Sequence, residues 1–185
     1  MKTFISFLFV LSLLAQDSFA QDILFTKSAN INFYSKTPIE DIDAATKEGI
    51  SFINIPKAEI NFSVLIKSFR FEKALMEEHF NENYMESAKF PKATFKGKID
   101  NIKEINFSKD GEYSAKISGD LSIHGITKKI KSNGKIMIKS GKASANSEFK
   151  IKLADYEIKV PSVVSNKIAE EILITVKSNY EPYKK

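Results

Sequence analysis

Between Ile60 and Phe95 the apolar residues change their spacing twice, from two residues to four and back to two. Ile60, Phe62, Val64 and Ile66 alternate with Asn61, Ser63 and Lys67, the period of a half-buried β-strand, and Leu65 alone breaks it. From Glu72 the pattern changes: Met76, Phe80 and Tyr84 recur every fourth residue, with Glu77, Glu78, Asn81 and Glu82 between them. This predicts about three turns of amphipathic helix reaching Met85. Pro91 and the alternation Thr94, Phe95, Lys96, Gly97, Lys98 then restart a strand. A short helix among strands, with Phe and Met facing inward, suits a flap over one end of a β-barrel. Such an element points to a container rather than a catalyst.

Met1 to Ala20 stands apart from this pattern. Lys2 gives a positive start, Phe4 to Ala15 an apolar stretch, and Ser18-Phe19-Ala20 a small-x-small site, the organisation of a secretory signal peptide. The apolar run is shorter than the ~20 residues that span a bilayer. Cleavage is placed after Ala20, so residues 21–185 form the mature chain, a size suited to one domain with one core. The sequence has no cysteine, which excludes a lipid anchor on a new N-terminal Cys and leaves stability to packing and strand pairing. The net charge is +5, and Arg70 is the one arginine among 28 basic residues. Lysines scattered through alternating strands read as a solvated face, and with no basic stripe or known motif, nucleic acid is not an expected partner.

Along the mature chain, Ile23 to Tyr34 reads as a first strand ended by Ser35-Lys36-Thr37-Pro38. Ile39 to Thr46 reads as a connection with a helical turn, and Ile50, Phe52 and Ile53 mark a second strand ending before Pro56. Asp110-Gly111, between Ile105-Asn106-Phe107 and Tyr113 to Ile117, is a local hairpin signal. Ile117, Gly119, Leu121 and Ile123 alternate with polar residues up to a turn at Gly125, after which Thr127 to Ile138 continues. Within that run Asn133-Gly134 reads either as a second hairpin or as a bulge. Ser140-Gly141 makes the next turn, and Phe149, Ile151 and Leu153 alternate in the following strand. Pro161 to Glu170 reads as a short helical connection. A last strand over Ile172 to Val176 precedes a polar end from Tyr180 to Lys185.

About eight amphipathic strands with one helix and no βαβ alternation predict an all-β antiparallel sheet. Closing it as an eight-stranded barrel buries one face and removes exposed edges, and leaves an interior just wide enough for a small or slender ligand.

Three motifs occur in order along this chain. They are His79-Phe80 with Tyr84, Ser87 and Lys89-Phe90-Pro91-Lys92-Ala93-Thr94-Phe95; Gly119-Asp120-Leu121-Ser122-Ile123-His124-Gly125-Ile126-Thr127-Lys128-Lys129; and Phe149-Lys150-Ile151-Lys152-Leu153-Ala154-Asp155-Tyr156. Together they resemble the YceI family of periplasmic proteins over almost the whole mature chain. The resemblance implies a lipocalin-like barrel with a helix at one end. It also implies an apolar cavity, in which some members hold a polyisoprenoid or related amphiphile. Where relatives carry a charged pair in the helix region, this chain reads Lys73-Ala74-Leu75-Met76.

Eleven of the fifteen phenylalanines fall in the mature chain, and tryptophan is absent, which favours an adaptable apolar interior. The candidate pocket residues are Phe62, Val64, Phe69 and Phe71 ahead of the helix, Met76 and Phe80 on it, and Phe90 and Phe95 after it. Leu121, Ile123, Phe149 and Ile151 complete the set on later strands. Each of these also suits a packed core. Met76 and Phe80 are the preferred contacts, because a thioether and a helix-borne ring adapt to an irregular chain.

Catalysis has little support. His79 and His124 are the only histidines, and neither lies in a nucleophile-elbow or triad-like context. His124, beside the Gly125 turn, suits a structural hydrogen bond. His79 with Glu78 and Glu82 supplies too few ligands for a metal, and Glu77 and Glu78 point about 100° apart on a helix. There is no Gly-rich phosphate loop, and no cofactor is expected. The reading is therefore binding or transport of a long-chain isoprenoid or lipid-like ligand without chemistry. The alternative is a stress-response or interaction module with a filled barrel, whose lysines make peripheral contact with anionic partners such as a membrane surface. Oligomeric state is left open, and a homodimer is compatible with the pattern.

Overall fold

Inward and outward side chains alternate along eight long strands and one two-residue strand of the computed structural model, which describes residues 22–183. The leader, its cleavage site after Ala20, and Lys184 and Lys185 lie outside the described residues. The strands are β1 (Ile23–Lys36), β2 (Asp41–Asn54), β3 (Glu59–Leu65), β4 (Arg70–Phe71), β5 (Lys92–Ile99), β6 (Gly111–Ile123), β7 (Ile126–Lys139), β8 (Lys142–Lys152) and β9 (Glu171–Pro182). All pairings are antiparallel, and β1 pairs with both β2 and β9, so the sheet closes on itself as an eight-stranded barrel. Closure gives every long strand a partner on both sides along at least part of its length. The two-residue β4 sits on β2, with Phe71 opposite Ala44.

Two tight turns show why the later strands follow so closely. His124-Gly125 and Ser140-Gly141 each carry positive φ at both central positions (51° and 79°; 50° and 73°), the backbone of a type I′ hairpin. A Cβ on Gly125 would stand 2.6 Å from the Phe90 ring, so glycine is needed there for space as well as for φ.

One end of the barrel is solid. Leu24, Ile53, Ile99, Ile138 and Tyr180 are all at most 3% exposed and form its floor. The Tyr180 hydroxyl pairs with Ser51 Oγ at 2.8 Å, and burial pushes its pKa up to about 12. At the other end, α1 (Ala74–His79) runs into a π-helical turn over Phe80–Tyr84, closed by Met85 N donating to Phe80 O at 2.9 Å. The predicted three-turn helix from Glu72 to Met85 is thus shorter and changes hydrogen-bond register halfway. The wider turn brings Met85 to 7% exposure along with the half-buried Phe80 and Tyr84.

Four expectations are corrected. Ile39 to Thr46 is no helical connection, because Asp41 already begins β2. Its inward residues Ala44, Thr46 and Ser51 are small or hydroxylated, so the apolar alternation is faint in sequence although all three are buried. Ile105-Asn106-Phe107 does not pair with Tyr113 to Ile117 across Asp110-Gly111. The β6 groups it would meet are taken by the Asn101 side chain, which donates to Ser114 O at 3.0 Å and accepts from Lys116 N at 2.8 Å. Asn133-Gly134 is neither turn nor bulge, since β7 runs straight through it in unbroken register with Lys116 and Ala115. Tyr180 belongs to the floor and not to a polar tail, because β9 continues to Pro182.

Candidate functional site

Above the floor the barrel is hollow. A cavity of about 570 Å³ is walled by inward residues of most strands and by α1. That is a volume typical of small-molecule sites. Phe62 and Val64 reach it from β3, Phe95 from β5, Leu121 and Ile123 from β6, and Phe149 and Ile151 from β8. Phe62 faces Phe95 and Phe95 faces Leu121 across successive strands, which puts all three on the inward side. The Phe95 ring lies over paired Gly97 and Gly119. A Cβ on Gly119 would come within 2.7 Å of that ring, so the glycines make room for it.

Phe69, Phe71, Met76 and Phe80 line the upper part of the cavity. With Phe33 of β1, the three phenylalanines form an aromatic cluster at the mouth. Phe33 stacks on Phe80 at 5.2 Å, and Phe71 meets Phe80 at 5.0 Å. Phe69 packs on Phe33 at 5.5 Å and on Phe80 at 5.9 Å. These rings bridge the π-helical turn that follows α1, the Phe69–Phe71 segment and β1, so the flap is held chiefly by apolar contact.

Eleven of the twelve sequence candidates therefore share this cavity; Phe90 does not. Phe90 sits on the outside against the β6–β7 turn, with its ring 4.6 Å from that of His124 and Lys89 Nζ 4.8 Å from its centroid. Its ring packs directly on Gly125. The sequence reading did not single out Ile31 and Phe33 of β1, Leu75 and His79 of α1, or Ile172, Ile174 and Val176 of β9 as pocket residues, yet all line the cavity. Their alternation was legible, but nothing in it distinguishes a wall facing space from one facing side chains.

Polar and charged groups collect at the mouth. Glu40, Lys73, His79 and Lys167 line the cavity there, and Lys73 Nζ lies 3.3 Å from Glu40 Oε1. Arg70 pairs with Glu77 at 2.9 Å, and the second Glu77 oxygen accepts from Phe71 N at 3.3 Å. These bonds tie the start of α1 to β4 and to the β1–β2 hairpin. Deeper in, the wall is apolar except for Lys135, Asn146 and a few small hydroxyl residues. Ser178 is one, with its hydroxyl buried.

His124 ties two loops together. His124 Nδ1 lies 3.1 Å from Tyr156 O and Nε2 lies 3.0 Å from Glu86 Oε2, a bracket between loops. Among the described residues no three metal-ligating side chains gather. The arrangement can sequester an apolar chain from water.

A family model described as the YceI-like domain matches residues 24–180. A Saccharophagus degradans polyisoprenoid-binding domain implicated in plant cell wall breakdown has a similar structure (TM-score 0.77, 15% identity, covering 88% of this chain and 99% of that one). Burkholderia cenocepacia BcnA is similar at TM-score 0.67 and 14% identity over 83% of this chain and 96% of its own. The Campylobacter jejuni YceI protein gives 0.57 and 19% over 77% and 85%. No curated protein matches. The closed barrel, its helix-covered hollow interior and the family match over nearly all described residues lead to one conclusion: this chain belongs to the YceI-like family.

Proposed function

We propose that the protein binds and carries a long-chain isoprenoid or similar lipid-like ligand in its barrel and leaves it chemically unchanged. The observation that carries this reading is the unfilled apolar cavity between a solid floor and an aromatic mouth. Moving each methylene from water into such a space is favourable by ~0.8 kcal/mol. The Saccharophagus relative binds a polyisoprenoid, and the shared fold with a hollow apolar interior supports the same class of cargo here. The filled-core interaction module is disfavoured by the same cavity. The leader-like start of the sequence and the family's periplasmic members support export to the periplasm or beyond, with cleavage after Ala20; N-terminal sequencing of the mature protein tests this.

Native mass spectrometry with lipid extraction, on protein purified from its own host, tests the cargo reading. A stoichiometric apolar ligand, lost on Phe80→Asp or Met76→Asp, is the expected result. Protein that is empty and takes up neither quinones nor polyprenyl lipids overturns it.

A further inference from the structure

The wall of the barrel is split on one side. Gly134 opposite Ser147 is the last β7–β8 pair on the way from the Ser140-Gly141 turn toward the mouth. Beyond it, β7 from Ile126 to Asn133 pairs only with β6, and β8 from Glu148 to Lys152 pairs only with β9. Side chains bridge the apex, where Ser132 Oγ and Ser147 Oγ lie 2.7 Å apart and Ser147 Oγ donates to Asn133 O at 3.0 Å. The two strands then diverge until the Tyr156 carbonyl meets His124 at the base.

A second cavity of about 310 Å³ occupies this fork. Ile130 and Ile151 wall both it and the central cavity, so the fork backs directly on the barrel interior. Lys128, Lys129, Lys150 and Lys152 surround it, against Asp155 and Glu171. Lys150 is 3.7 Å from Glu171; among the described residues the other three lysines have no ion pair. Lys128 is the informative one. Its cross-strand partner is Leu121, which is buried and faces the barrel interior, so Lys128 stands on the inward side of β7. It is nonetheless exposed, because the wall beside it is open. A lysine in an inward register costs heavily unless it reaches water or an anion, and the fork provides that outlet.

We propose that the β7–β8 fork is a side portal that binds an anionic head group, phosphate or carboxylate, of an amphiphile whose chain passes between Ile130 and Ile151 into the barrel. The proposal rests on the cargo reading above and adds to it both a charge preference and a route through the wall. Lys128 contacts the head from inside the fork, and Lys129, Lys150 and Lys152 hold a positive field across its outer lip.

The test compares chain-matched probes. Hexadecyl phosphate, hexadecan-1-ol and inorganic phosphate each compete against the neutral fluorophore N-phenyl-1-naphthylamine bound to the mature protein. Hexadecyl phosphate is expected to bind about tenfold tighter than the alcohol at low salt, with the margin shrinking as ionic strength rises. Lys128→Gln with Lys150→Gln is expected to bring the two affinities together while leaving that of the alcohol unchanged. Lys129→Gln with Lys152→Gln, on the outward face, gives the same reading without touching the inward register. Equal affinities in the unaltered protein, or a preference that survives both variants, overturn the portal while the cargo reading stands. Inorganic phosphate that competes as well as the amphiphile also overturns it, in favour of a free-anion site. Failure of both amphiphiles to displace the fluorophore removes the cargo reading itself and the portal with it.

Discussion

The two ends of this barrel are closed by different means. At the floor, aliphatic and aromatic side chains from five strands interlock around Ile53, which is 0% exposed, and the Tyr180 hydroxyl has that of Ser51 as its partner. At the mouth, four phenylalanines and a short helix lie across an open space, and no residue of α1 is buried. The floor is thus part of what folds the chain, whereas the mouth is a cover laid on it. A cover that contributes little to folding can lift at little cost, which would open the cavity from above.

Substitutions should separate these roles. The largest loss is expected at the floor: Ile53→Ala should cost about 2–5 kcal/mol, read as a lower urea midpoint with an unchanged slope. Alkaline titration probes the same end. The Tyr180 hydroxyl is neutral when protonated and its folded pKa is raised from 10.0 to about 12. Its contribution is therefore complete below pH 10 and is lost as pH rises through about 12, up to about 3 kcal/mol. Tyr180→Phe should flatten that part of the stability profile. At the mouth, Phe80→Ala should cost about 1–2 kcal/mol, less than the floor substitution, yet lower affinity for an apolar probe by at least about tenfold. Smallest in stability is Glu77→Gln, which breaks an exposed pair with Arg70 and should cost under about 1 kcal/mol. Its effect should show instead as faster ligand release in stopped-flow displacement. Equal stability losses at Ile53 and Phe80 would erase the distinction between the ends.

The strands were legible wherever inward residues are large. Phe149 and Ile151, or Leu121 and Ile123, alternate against polar neighbours and state their face directly. The start of β2 was not, because Ala44 and Thr46 fill inward positions in which volume is limited: Thr46 Oγ1 lies 2.8 Å from the buried Ser68 Oγ. Asp110-Gly111 carried the chemistry of a hairpin, but Asn101 supplies the hydrogen bonds that a partner strand would have made. The helix residues Met76 and Phe80 face the cavity as their four-residue spacing implied, while the extra residue in the π turn that also turns Met85 inward leaves no trace in that spacing. Phe90 looked like its neighbours in composition, and only the tertiary contact with the His124-Gly125 turn draws it outside. The fork was hidden for a related reason. Lysines alternating along β7 read as a solvated surface, and a missing ladder between two well-formed strands has no local signature.

The solid floor has a metrical consequence. From Ile172 near the mouth to Ser178 above Tyr180, β9 offers roughly 20 Å of inward face, after which nothing can pass. A tail shorter than this depth leaves apolar wall uncovered, and a longer one must fold back or protrude. The barrel is therefore a gauge: for any cargo it accepts, Tyr180 and its neighbours set the length at which each further methylene stops adding to affinity.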